Sequence, residues 1–344
     1  ASQVLSANFV GNGILFSAFI LLLALGLLVV SADFFIEGAK GLARRGGIPE
    51  VVIGLTIVSI GTSLPEILVT STSALNVDKH PEVADFAIGG ILGSVLVQIT
   101  LILGFVALAK GLKIRPSWLK RDGLIMMLSL LLMAFFLLTD KGITRLEGFI
   151  LSTLYISYIS WLLYNRKEIM DNEDDTDGEN IDMSNLSWSG AAYSVMVIIG
   201  LALAVFAAHH LVENASDLAY EMKIPHSIIG TVVSGLGTSL PELTIAFMAA
   251  KRSQGVAIGT LIGSNITDPL LSIGTASMVH PLYLTDAGSD MIMLVILPAS
   301  IISTAIALLL MRTSYEFKKW EGITLIVVYF IFLAVCEYFR RVGF

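Results

Sequence analysis

Two apolar segments, each long enough to cross a bilayer, carry the same six residues, Gly-Thr-Ser-Leu-Pro-Glu, at Gly61–Glu66 and again at Gly237–Glu242. Each copy brings a helix breaker and an ionisable carboxylate to mid-membrane depth. A charge there costs about 2.5–3.5 kcal/mol on insertion scales. Hydrocarbon offers the backbone no hydrogen bonds, so a spanning segment must be a helix or a strand of a closed barrel. A helix with Pro inside it loses the bond to the carbonyl four residues back, which is Gly61 for Pro65 and Gly237 for Pro241. Freed carbonyls beside a carboxylate, twice over, point to a cation site.

Of the 344 residues, 55% are hydrophobic and 14% charged, against about 25% charged in soluble domains. The expected fold class is an all-α polytopic membrane protein. Ten segments approach the roughly 17–25 residues a membrane helix needs: 13–32, 51–75, 86–109, 123–139, 148–164, 191–208, 228–250, 255–282, 291–311 and 322–336. Seven of the ten hold no Asp, Glu, Lys or Arg, and the others hold one each: Glu66, Glu242 and Asp268. With the N-terminus outside, 15 of the 21 Lys and Arg fall in inner loops, so the positive-inside rule puts both termini outside. The basic run Lys110–Arg121 is expected as an inner loop near anionic headgroups. No cleavable signal peptide is expected, because the first segment lacks a basic leader. The single cysteine, Cys336, excludes a disulfide framework and a thiolate metal site.

An internal repeat sets the architecture. Residues 31–66 align without a gap on 207–242, with identities that include Glu37/Glu213, Pro49/Pro225 and Gly54/Gly230 besides the hexapeptide. Further on, Ala87-Ile88-Gly89 and Gly93-Ser94 match Ala257-Ile258-Gly259 and Gly263-Ser264, at an offset of 170. Each half holds five spans, and five is odd, so the second half enters the membrane with the opposite sense. The expectation is ten transmembrane helices as two inverted five-helix repeats, an arrangement common in secondary transporters. Residues 1–165 form the first repeat, with its motif at 54–104, and 189–344 the second, with its motif at 230–274. Between them, 166–188 is an acidic cytoplasmic linker. Placing Gly178 at the invariant glycine of a calcium loop leaves Ser184 where a bidentate Glu belongs, so no such loop is expected.

The candidate ligands are all oxygens. Thr62 and Glu66 stand four residues apart, as do Thr238 and Glu242, Ser94 and Gln98, and Ser264 and Asp268. Each pair faces one way if helix continues through it. Hydroxyls, carboxylates, an amide and backbone carbonyls suit hard cations such as Na⁺ or Ca²⁺, not soft transition metals. Ser, Thr and Gln on membrane helices also serve as packing contacts, but three intramembrane carboxylates inside repeated motifs are functional by default. Asp33, Glu37, His209, His210 and Glu213 are expected near helix ends as interfacial or pairing groups, and His80, His226 and His280 as solvated.

At these residues the chain resembles the cation/calcium exchanger superfamily, specifically its prokaryotic sodium/calcium exchangers. The twin hexapeptides and Gly-Ser-Asn-Ile-Thr-Asp at Gly263–Asp268 look like the family's two alpha-repeats. The resemblance implies alternating-access exchange of Na⁺ for Ca²⁺ at four central sites, in a prokaryotic cell membrane, by a protein that is not an enzyme, needs no cofactor and functions as a monomer in the bilayer. It further implies Glu66 and Glu242 as ligands shared by both ions. Thr62 and Thr238 then give carbonyls and hydroxyls, Ser63 and Ser239 hydroxyls, and Ser94 and Ser264 oxygens toward flanking Na⁺ sites. Asp268 matches the family's acid on the eighth helix. Its counterpart on the third is usually Asn, where this chain has Gln98; Ser59 and Gly235 stand where relatives tend to have Ala. Rivals are a proton/calcium or potassium-dependent exchanger, a passive channel and an intramembrane hydrolase using Ser63 or Ser239. Proton-coupled relatives carry Gly-Asn before the acid, and no His or Lys base lies within the motif spans for a hydrolase.

Overall fold

The structure, a computed structural model, describes residues 23, 26–27, 30–31, 34–39, 41–42, 45–169, 188–221 and 238–342. Among these, six helices are long and apolar enough to cross a membrane, and a bent pair reaches that length jointly. The pair is α1, Glu50–Thr62, and α2, Leu64–Asn76, meeting at 45°. Next come α3, Glu82–Lys110, α4, Pro116–Asp140, and α5, Arg145–Tyr164. Then follow α6, Gly190–Glu221, α7, Leu240–Ala249, α8, Gln254–Val279, α9, Gly288–Ser314, and α10, Lys319–Val342. Two short strands, β1 at Gly142–Ile143 and β2 at Leu282–Tyr283, pair antiparallel. Most of segment 13–32, the start of 228–250, most of the acidic linker, Asp33, His226 and Gly235 lie outside the described residues.

The helices sort by how much of their apolar surface is covered. In α8 94% of the most apolar stretch is buried and in α3 83%, against 22% in α10. A helix apolar all round belongs in the middle, and α3 and α8 occupy it. Around them α10 packs on α3, α5 on α8, and α1 crosses α8. Glycines set the closest crossings. A Cβ at Gly104 would lie 2.7 Å from the Gly322 carbonyl oxygen, and one at Gly148 would lie 2.7 Å from that of Gly274. The first contact joins α3 to α10 and the second α5 to α8. Gly104 and Gly274 are 170 residues apart and Gly148 and Gly322 174, close to the offsets of the sequence repeat.

Two ties join loops. Lys113 pairs with Glu316, flanked by Ile114 N–H donating to the Tyr315 carbonyl at 2.7 Å and Phe317 N–H to that of Leu112 at 2.8 Å. The other tie is β1 with β2. Since Lys113 precedes α4 and Gly142 follows it, the ties hold opposite ends of the molecule. The helices that follow are also capped alike. Glu147 Oε2 accepts from Thr144 N–H at 2.7 Å, and Glu321 Oε2 accepts from Lys318 N–H at 2.7 Å, each satisfying a donor left free at a helix start.

Three sequence expectations need correcting. The run Lys110–Arg121 is loop only over 111–115, because α3 ends at Lys110 and α4 begins at Pro116 and carries Lys120 and Arg121 within the helix. The reason is Asp122, which is fully buried and grips Arg121 through both oxygens at 2.6 and 2.7 Å. Tyr158 donates to it at 2.9 Å, and a neutralised, hydrogen-bonded pair can enter an apolar layer that a lone charge cannot. The segment ending at Leu282 is helical only to Val279, since Leu282 is recruited into β2. His280, expected to be solvated, is 27% exposed and bridges Asp78 Oδ1 at 3.2 Å. Glu37 is exposed, and the side chains of His209, His210 and Glu213 lie outside the described residues.

Candidate cation site

Both hexapeptides break the helix at the same residue. Ser63 has φ −80 and ψ 5, and Ser239 has φ −88 and ψ 8. In each case Pro occupies the first turn of the outgoing helix, where its missing N–H costs nothing, and the carboxylate follows one residue later. Glu66 therefore sits in the first turn of α2 and Glu242 in that of α7, where a helix N-terminus favours negative charge. Gln98 and Asp268, the corresponding residues of α3 and α8, each open a π-helical turn, a distortion common at functional sites.

Five helices, α1, α2, α3, α7 and α8, with the breaks at Ser63 and Ser239, bring ten of the twelve sequence-selected residues to buried positions. Ser59, Thr62, Ser63, Ser94, Gln98, Ser239, Glu242, Ser264 and Asp268 are completely buried, and Glu66 is 3% exposed. Thr238 is half-buried and lines a small cavity together with Glu66. Gly235 lies outside the described residues. The contacts run across the two halves. Ser94 shares a 2.8 Å hydrogen bond with Ser239 and donates to Glu66 Oε1 at 3.3 Å. Gln98 Nε2 donates to Ser94 Oγ at 2.9 Å, to Asp268 Oδ2 at 3.2 Å and to Ser239 Oγ at 3.5 Å. Thr62 meets Ser264 at 3.4 Å.

The shared facing of Thr62 and Glu66 inferred from their spacing needs revising. That inference required continuous helix, and the break at Ser63 interrupts it. Thr62 Oγ1 instead donates to the Ser59 carbonyl at 3.3 Å and reaches toward α8. Ser94 and Gln98, on an unbroken helix, do keep their i, i+4 contact.

What these contacts leave over defines the chemistry. Among the described residues, Glu66 Oε2, both oxygens of Glu242, Asp268 Oδ1, Gln98 Oε1 and Ser63 Oγ are buried with no hydrogen-bond partner in ordinary geometry. Each such atom costs about 1–3 kcal/mol, more where it is charged, and natural structures keep few of them. Five of these six oxygens can only accept. Donors cannot be supplied by lipid, whereas a cation satisfies all of them together. Among the described residues no three His, Cys, Asp or Glu form a metal cage by themselves. An ion held here would take neutral oxygens as well as carboxylates, the ligand habit of Na⁺ and Ca²⁺.

Three residues escaped the sequence reading. Tyr155 of α5 shares a 3.0 Å hydrogen bond with Thr267, which donates to the Gly263 carbonyl at 2.9 Å and lies 3.5 Å from Ser59 Oγ. Nothing local marks Tyr155, because its partner is 112 residues away. Pro269 was legible: it is a third proline at membrane depth, directly after Asp268. It withholds an N–H from the backbone where Asn265, four residues back, would have received one.

The family model described as "Sodium/calcium exchanger protein" matches residues 16–164 and 192–336. "Sodium/calcium exchanger MaX1" of Methanosarcina acetivorans is 31% identical over 351 residues, covering 93% of this chain and 98% of that protein. "Sodium/potassium/calcium exchanger 4" of Homo sapiens is 30% identical over 143 residues, 41% of this chain and 22% of that one. A solved structure of the sodium-calcium exchanger NCX_Mj, soaked with 2.5 mM Na⁺ and 0.1 mM Ca²⁺, superposes with a TM-score of 0.74 at 28% identity, covering 93% of this chain and 98% of that chain.

Proposed function

The chain belongs to the sodium/calcium exchanger family, and from that premise we propose that it is a secondary active antiporter that uses the Na⁺ gradient to extrude Ca²⁺ by alternating access. The observation that carries this reading is the set of buried, unpartnered acceptor oxygens at which the two hexapeptides meet. Glu66 and Glu242 are the ligands both ions need. Thr62, Thr238, Ser63, Ser239, Ser94, Ser264, Gln98, Asp268, Ser59 and Gly235 supply the remaining oxygens. Exchange is coupled because Ca²⁺ and several Na⁺ compete for one pair of carboxylates and cannot hold it together. Emptied of ions, the cluster leaves its carboxylates uncompensated, so the empty protein resists switching sides and leak is suppressed.

Ten spans in two inverted repeats, 1–165 and 189–344 joined by a cytoplasmic linker, suit this mechanism. The corresponding glycine crossings and loop ties support that architecture. In our reading the protein is a monomer in a prokaryotic cell membrane, with both termini outside and the β1–β2 tie on the outer face. The test is ⁴⁵Ca²⁺ uptake into Na⁺-loaded proteoliposomes, with outside Na⁺, K⁺ and pH varied in turn. Uptake is expected to require internal Na⁺ and to fall as outside Na⁺ rises. Uptake driven by a pH step and indifferent to Na⁺ would reject Na⁺ as the coupling ion. An absolute need for K⁺ on the Ca²⁺ side would place the chain with the potassium-dependent exchangers.

A further inference from the structure

Tyr155 is 3% exposed on a helix, α5, whose most apolar stretch is only 28% buried, so it reaches inward where most of α5 faces outward. Its hydroxyl lies 3.0 Å from Thr267 Oγ1. The direction of that bond follows from what lies beyond it. Thr267 has one hydroxyl proton, and the Gly263 carbonyl at 2.9 Å can only accept it. Tyr155 therefore donates. Without that donor, the Thr267 hydroxyl is free to turn to a second acceptor, Ser59 Oγ at 3.5 Å, whose own proton goes to the Leu55 carbonyl at 2.7 Å. Tyr155 thus decides how Thr267 meets Ser59.

Ser59 is where α1 rests on α8: a Cβ at Gly263 would lie 2.8 Å from both Cβ and Oγ of Ser59. Its carbonyl accepts from Ser63 N–H at 3.0 Å, at the bend, and from Thr62 Oγ1 at 3.3 Å. A shift of Ser59 therefore carries Thr62, and with it the contact of Thr62 with Ser264. These three residues offer neutral oxygens only. Such a set suits a monovalent hard cation, whereas Ca²⁺ is drawn to the carboxylates.

The arrangement is one-sided. At the offset of 174 that relates Gly148 to Gly322, Tyr155 matches Tyr329, which is also 3% exposed. Thr267 and Val97 each stand directly before a π-helical turn, opened by Asp268 and Gln98, and at the hexapeptide offset of 176 Ser59 matches Gly235. The buried tyrosine recurs, but Val97 and Gly235 have no hydroxyl to receive it.

We propose that Tyr155 is a positioning residue that sets the affinity for Na⁺ at the neutral end of the cluster, acting through Thr267 on Ser59 and Thr62, and that Tyr329 has no such part. This rests on the exchanger reading for the identity of the ions. Partners one step removed from a metal orient the groups that touch it. The pair of glutamates that Ca²⁺ needs lies outside this chain of contacts.

The experiment uses the full chain in proteoliposomes, with ⁴⁵Ca²⁺ uptake titrated against internal Na⁺ and against outside Ca²⁺ in turn. Tyr155→Phe keeps the ring and removes the hydroxyl. It is expected to raise the half-saturating Na⁺ concentration about threefold or more, the worth of one hydrogen bond, with that for Ca²⁺ within about twofold and the melting temperature unchanged. Thr267→Val should do the same, and Thr267→Ser should keep the wild-type value; this pair tests the same bond if Tyr155→Phe fails to fold. The double variant Tyr155→Phe/Thr267→Val should be no worse than Thr267→Val alone, because both act on one chain of contacts. Tyr329→Phe should leave both concentrations at their wild-type values. An unchanged Na⁺ concentration in Tyr155→Phe, equal shifts for Na⁺ and Ca²⁺, or the same shift in Tyr329→Phe would each overturn the proposal. Stabilisation by Na⁺ gives a reading without transport. If Tyr155→Phe needs more Na⁺ than wild type for the same rise in melting temperature, while neither protein performs Na⁺-dependent Ca²⁺ uptake, the positioning role stands and the exchanger reading falls.

Discussion

Glu242 offers two buried carboxylate oxygens, neither of which has a hydrogen-bond partner in ordinary geometry among the described residues. In the absence of ions that arrangement opposes folding, so the ion contributes to stability as well as being cargo. Binding at 100 times Kd adds about 2.7 kcal/mol; Ca²⁺ is therefore expected to raise the melting temperature of the wild type and not that of Glu66→Gln or Glu242→Gln. The same variants should lose exchange. Changes merely adjacent to a metal ligand cost about 10–100-fold, and losing the ligand charge itself should cost on the order of 100-fold or more in initial ⁴⁵Ca²⁺ uptake while the protein remains monodisperse. Gln98 is a different kind of residue. Its amide donates to Ser94, Ser239 and Asp268 at once, a reach that the shorter Asn lacks. For Gln98→Asn we expect Asp268 to lose that donor and the half-saturating Na⁺ concentration to change several-fold, with folding intact. These roles were legible because an intramembrane carboxylate is conspicuous in the sequence. Tyr155 was not, since a tyrosine in an apolar helix looks the same whether or not a distant threonine meets it.

At the scale of elements, the bend between α1 and α2 joins sequence to site. The proline, read from sequence, marked where helix had to yield. The residue that carries the bend is Ser63, two positions earlier, because a proline in the first turn of a helix is unstrained and the disruption falls before it. Pro65→Ala returns an N–H to the helix and removes the reason for the bend. Its expected effect is a higher melting temperature together with slower exchange, measured on one preparation by calorimetry and ⁴⁵Ca²⁺ uptake. Faster exchange would separate the bend from ion handling. Helix ends were the least legible part. Hydropathy alone started α4 at Gly123, but the Arg121–Asp122 pair, satisfied by Tyr158 from another helix, extends it to Pro116. A pattern of apolar residues cannot report a partner that only tertiary structure supplies.

At the scale of the molecule, the hexapeptides belong to a sequence repeat whose signal covers only 31–66 and 87–94 with their counterparts. Beyond them the two parts of the chain differ in side chains and share backbone devices: the glycine crossings, the glutamate caps and the loop ties. Such devices are faint in sequence because each amounts to a single glycine or glutamate, and their meaning lies in what they touch. With the linker read as a tether, replacing 171–182 by Gly and Ser is expected to leave Na⁺-dependent Ca²⁺ uptake within about twofold of wild type; loss of exchange would give the acidic stretch a regulatory part.

Both loop ties join the first half of the chain to the second: Lys113 to Glu316 and Gly142 to Tyr283. The crossings of α3 with α10 and of α5 with α8 do the same. During synthesis, therefore, α3, α4 and α5 leave the ribosome with neither tie made and α3 not yet covered by α10. Completion is a late event that waits for α10. Residues 1–165 made alone should be degraded in the cell, and co-expression with 189–344 should rescue both fragments together, read as paired bands that purify as one complex.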